Sequence, residues 1–106
     1  MKTLLKYLKA LSDGNRLRIL RLLMERPHCV GELKEALGVA QPTVSKHLSI
    51  LEEAGWVEKN RHGNFIYCQL APESGPDDQR TALLALLTTW LRDELEALQL
   101  SPKIKP

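Results

Sequence analysis

The sequence predicts a mainly α-helical domain with a small β-hairpin late in the chain, on three observations. Leucine-rich segments recur at helical spacing up to residue 54, and the apolar period then drops to two across residues 56–70. Pro, Gly and Asp gather into a single clear linker at 71–78. A length of 106 residues fits one domain with no room for a second core. We place that domain at 1–100, with a loose tail at 101–106.

Leu4, Leu5, Leu8 and Leu11 space a short amphipathic helix that ends at Ser12-Asp13-Gly14. Ser12 or Asp13 then caps a second helix, with Leu17, Leu20, Leu23 and Met24 as its buried stripe. Pro27 closes it, because the residue before a proline is pushed out of helical geometry. His28-Cys29-Val30 reads as a brief extended stretch, and 32–37 as a short helix stopped by Gly38. A helix from about Gln41 to Ala54 follows, with Pro42 in its first turn, where a missing N–H costs nothing. Val44, Leu48 and Leu51 share its core-facing side, whereas Thr43, Ser45, Lys46 and Ser49 fall elsewhere. Beyond Gly55, residues 56–60 and 64–70 alternate as two strands joined across Arg61-His62-Gly63. Ile66, Cys68 and Leu70 share one face of the second strand; Phe65, Tyr67 and Gln69 share the other. A last helix spans about Asp78 to Leu98. Two short helices joined by a tight glycine-containing turn and followed by a hairpin make a winged helix-turn-helix.

Apolar residues are 43% of the chain, enough for a core, yet no apolar run approaches the ~20 residues of a membrane helix. The N-terminus alternates charged and apolar residues too quickly for a signal peptide, so a cytoplasmic location is expected, with no membrane partner. Two cysteines, Cys29 and Cys68, make no disulfide framework and are expected as free thiols there. Residues 1–70 carry 11 Lys/Arg against 7 Asp/Glu, and residues 71–106 carry 4 against 6. The basic groups thus lie away from the last helix, which suits a body that meets an anion.

A helix that reads DNA puts short polar side chains into the major groove while its opposite face is anchored in a core. Gln41, Thr43, Ser45 and Lys46 meet that requirement for double-stranded operator DNA, with no acid before Glu52. An ordinary solvated helix has the same composition; the tight turn before and the hairpin after favour the reading helix. Lys59, Arg61 and His62 would then lie against phosphates or the minor groove. His47 either touches phosphate or packs at the core edge, with the balance slightly toward contact. The last helix, with Leu83, Leu84, Leu86, Leu87, Trp90, Leu91, Leu95 and Leu98, is apolar over more than one stripe. It needs a second surface, and a homodimer supplies one. Catalysis is not expected: His28, Cys29 and His47 have no third orienting group and no oxyanion loop beside them.

Four segments carry a family resemblance: 11–20, Cys29-Val30-Gly31-Glu32-Leu33, Gln41-Pro42-Thr43-Val44-Ser45-Lys46-His47-Leu48, and Leu51 through the hairpin to Leu70. Together, over roughly residues 8–70, they resemble the ArsR/SmtB winged-helix repressors. The resemblance implies a homodimer that binds operator DNA and leaves it when an inducer binds, often a metal or metalloid ion. It implies too that the first and last helices build the dimer interface.

The departures bear on mechanism. Arsenic-sensing members carry Cys-Val-Cys where this chain has Cys29-Val30-Gly31, and two cysteines cannot supply three thiolates within one subunit. The last helix has Asp93, Glu94 and Glu96 but no His, so a zinc site with imidazole ligands is not available there. Ala40 replaces the usual Ser before the reading helix, and Asn64 and Cys68 stand where a basic residue and an aromatic are common. Three readings of the thiols stay open. Cys29 and Cys68 are cross-strand neighbours in a redox or persulfide switch, they bind a soft metal or metalloid ion at Cys29 helped by His28, or they are small core residues. A winged-helix module that binds protein instead of DNA also stays open, because residues 41–64 balance three Lys/Arg with three Asp/Glu.

Overall fold

The computed structural model describes residues 1–73, 75 and 78–97, with side chains to Trp90. The expected tail at 101–106 and Leu98 lie outside the described residues, as do the side chains of Leu91, Asp93, Glu94, Leu95 and Glu96.

Helix α1 (Lys2–Ala10) leads through Leu11 and Ser12 to α2 (Gly14–Glu25). Asp13 is the N-cap of α2, its carboxylate accepting from the backbone N–H of Asn15 at 2.8 Å and of Arg16 at 3.2 Å. The arc that α2 buries differs from the expected stripe. Ile19, Leu20, Leu22 and Leu23 are buried, while Leu17 and Met24 only pack against the core's edge. The reason is that α2 meets helices and sheet on several sides at once, so a single 3.6-residue stripe understates what it must cover.

Strand β1 is only His28–Cys29, and α3 (Val30–Leu37) begins two residues earlier than the pattern suggested. The Glu32 carboxylate reaches back to accept from the Cys29 N–H at 3.0 Å, which satisfies a donor that the helix start would otherwise leave open. Gly38 (φ 69°) and Gly55 (φ 92°) end α3 and the next helix in the left-handed region that only glycine enters cheaply. That next helix, α4 (Gln41–Ala54), starts from Ala40 with no side-chain cap.

Strands β2 (Val57–His62) and β3 (Phe65–Leu70) form the wing hairpin, and the antiparallel sheet has the order β1-β3-β2. The core gathers Ile19, Leu20, Leu22, Leu33, Val44, Leu48, Leu51, Trp56 and Cys68 between the helices and the inner face of this sheet. Helix α5 (Gln79–Ala97) turns Leu83, Leu84 and Leu87 toward that core. Its other face leaves Leu86 50% and Trp90 60% exposed, as expected for a helix with a second surface to bury. Leu5 and Leu8 stand exposed on α1. Among the described residues no helix is long and apolar enough to cross a membrane.

Candidate nucleic-acid interface

Helix α4 is anchored on one side and open on the other. Val44, Leu48 and Leu51 are buried, and Gln41, Thr43, Ser45 and Lys46 are exposed. Because α-helical side chains repeat every 3.6 residues, fixing the first set in the core fixes the direction of the second. The structure therefore brings these four expected residues onto the solvent side of one helix's N-terminal half.

The wing residues separate. Arg61 and His62 are exposed at the hairpin tip, where the His62 ring stands edge-on to Tyr67 with centroids 5.6 Å apart. Lys59 lies at the base, half-buried, its ammonium 3.4 Å from Glu52 of α4. That pair links the base of the wing to α4 across a partly exposed surface.

His47 does not join the exposed set. It is buried, with Nδ1 3.3 Å from an Arg16 guanidinium nitrogen and Nε2 3.9 Å from Asp13. Positions 44, 47, 48 and 51 form an i, i+3, i+4, i+7 set, so helical geometry draws residue 47 to the core side despite its polarity. Arg16 also donates from Nε to the carbonyl of Ala10 at 2.6 Å. This Asp13–Arg16–His47 group, which joins the start of α2 to α4, was not anticipated. The 44/47/48/51 spacing was the available signal for its histidine.

The thiols do not pair across strands. The register sets Cys68 opposite His28 and Cys29 opposite Tyr67. Since successive strand residues face opposite ways, the two cysteines occupy opposite faces of the sheet. Cys68 is fully buried, and burial pushes its thiol up to about 11. It is therefore protonated at neutral pH, which disfavours it as a free sensing nucleophile. The two thiols are therefore not direct cross-strand partners.

Asp13 and His28 are among the groups that give the fold an acid-sensitive profile. At Asp13 burial opposes ionisation, but the N–H groups of Arg16 and Asn15 and the nearby His47 and Arg16 charges outweigh it and hold the carboxyl below its usual range. At His28 burial lowers the imidazole, outweighing the bond to the Arg26 carbonyl. The unfolded chain then takes up a proton at His28 before the native protein does, so stability is full above the unfolded histidine pKa and declines as pH falls through it. Asp13 acts likewise at lower pH: its contribution is present above the unfolded carboxylate pKa and is lost as pH falls through the lowered native value. The urea midpoint is expected to drop between about pH 7.5 and 5.5 and again below about pH 4. A midpoint that stays level across the upper interval would contradict the neutral, buried His28.

A helix-turn-helix with an exposed polar second helix and a wing fixed beside it defines the winged helix-turn-helix class of DNA-associated folds. Residues 13–59 match the profile of the bacterial regulatory protein, arsR family. The chain belongs to that family. It is 42% identical over 66 residues to the arsenic resistance transcriptional regulator of Pseudomonas putida, covering 61% of this chain and 52% of that one. It is 39% identical over 62 residues to the transcriptional repressor SdpR of Bacillus subtilis, covering 58% of this chain and 69% of the relative. The match thus spans about half the length of the first of these relatives. Among solved structures, it resembles the homodimeric winged helix-turn-helix DNA-binding domain of a protein from Mycobacterium bovis described as a possible ArsR-family transcriptional regulator. The TM-score is 0.71 at 33% identity, over 91% of this chain and 84% of that one.

Proposed function

We propose that this chain is a cytoplasmic transcriptional repressor that binds operator DNA as a homodimer. Gln41, Thr43, Ser45 and Lys46 read base edges in the major groove, and Arg61 and His62 rest on the flanking backbone. The observation that carries this reading is α4 itself: buried Val44, Leu48 and Leu51 hold it while its exposed N-terminal half carries no acid before Glu52. The second copy covers the apolar residues left on α1 and α5, in keeping with the homodimeric relative from M. bovis. If release depends on a thiol, Cys29 carries it, since Cys68 is sealed in the core.

The test is fluorescence anisotropy with DNA from the protein's own promoter region, titrated against salt. Affinity that falls steeply with salt, and exceeds that for random DNA, is the expected result. Ser45→Ala and Lys46→Ala are each expected to weaken binding by about 1–3 kcal/mol where a base contact is lost. Full affinity in both variants, with the dimer intact, would remove the assigned reading face. Affinity equal to that for random DNA at every salt would turn the assignment toward a module that binds protein.

A further inference from the structure

The two helices given to the dimer interface are fastened to one point, the turn that ends the reading helix. Arg80, in the first turn of α5, is only 9% exposed although it is charged. Its guanidinium donates to the carbonyl of Gly55, the C-cap of α4, and to the carbonyl of Pro72 at 2.8 Å. Asp78 binds it from its own element's start, Nε to Oδ1 at 3.1 Å. On the other side lies Tyr7 of α1, its ring centroid 6.0 Å from the guanidinium carbon. Tyr7 is held in turn by Trp56, whose indole N–H donates to the Tyr7 carbonyl at 3.0 Å. Residues of α1, α5 and the linker therefore converge on Gly55-Trp56.

We propose that Arg80 is a positioning residue for operator binding. It holds the end of α4 in fixed register with the dimer helices, so that the spacing of the two reading helices follows from the dimer interface. The inference rests on the repressor reading above. Its physical basis is leverage. A helix of 14 residues is about 21 Å long at about 1.5 Å per residue. A tilt of about 10° at Gly55 thus carries Gln41 some 3–4 Å, roughly one base-pair step. Elsewhere α5 meets the core through Leu83, Leu84 and Leu87, apolar contacts that tolerate small shear. The forked donors of an arginine, aimed at carbonyls on two other segments, do not tolerate it. Lysine offers no such fork.

The experiment uses the full chain, an operator footprinted on its own promoter, and copies of that operator with one or two base pairs inserted between the half-sites. Wild type, Arg80→Gln and Arg80→Lys are first compared by circular dichroism and sedimentation equilibrium, where folded dimers are expected. Wild type is expected to lose about tenfold or more in affinity on insertion, and Arg80→Gln less than about threefold, from a weaker optimum. Arg80→Lys should fall between them, and it decides the matter if Arg80→Gln does not fold. A variant that loses thermal stability but keeps the wild-type spacing preference would overturn the proposal and leave the repressor reading standing. Wild type that binds the operator no better than random DNA would overturn both.

Discussion

Leu86→Glu is expected to yield a folded monomer whose operator affinity is lower by about 10²–10⁴-fold, the advantage that joining two half-site contacts confers. Leu86 and Trp90 lie on the outer face of α5, and Leu5 and Leu8 on α1 add exposed apolar surface. A glutamate at position 86 remains solvated in the single chain, so the fold has no reason to suffer. In a dimer the same carboxylate would be shut into an apolar seam with no assigned partner, which costs several kcal/mol at least. Sedimentation equilibrium reads the association, circular dichroism the fold, and anisotropy the binding. A variant that remains a dimer with wild-type affinity would move the interface off this face.

Trp56→Ala is expected to destabilise the fold by about 3–5 kcal/mol, the usual cost of emptying a large aromatic site. Trp56 is almost fully buried directly after Gly55, packs edge-on against Tyr7 with centroids 5.6 Å apart, and donates to the Tyr7 carbonyl. Removing it opens a cavity and frees the segment that links α1 to the end of α4. Trp56→Phe keeps most of the volume but leaves that carbonyl without its donor, and a smaller loss of about 1–2 kcal/mol is expected. Urea unfolding followed by far-ultraviolet circular dichroism measures both. A loss below about 1 kcal/mol for the alanine variant would mean that the corner is not held by this side chain.

Much of the architecture was legible in local pattern. The change of apolar period from 3.6 to 2 after residue 54, Pro42 at a helix start, and Gly38 and Gly55 at two helix ends are all short-range signals. They gave α4 its bounds and set Val44, Leu48 and Leu51 inside, because a buried face on one helix needs only its own spacing to be recognised. The exposed set Gln41, Thr43, Ser45 and Lys46 followed from the same periodicity.

What the sequence did not disclose depends on partners distant along the chain. The buried arc of α2 was misjudged because four neighbours share it. Lys59 turned to Glu52, His47 to Arg16 and Asp13, and Cys68 to His28 rather than to Cys29. Arg80 gave no sign of burial, since an arginine is sequestered only where distant carbonyls and a carboxylate meet it. By itself, then, the sequence determined the order of the elements and the ends and apolar face of α4, which depend on residues a few positions apart. Only the tertiary structure decided which polar groups are free to meet a partner, because a charge goes to whichever opposite group the folded chain brings within reach.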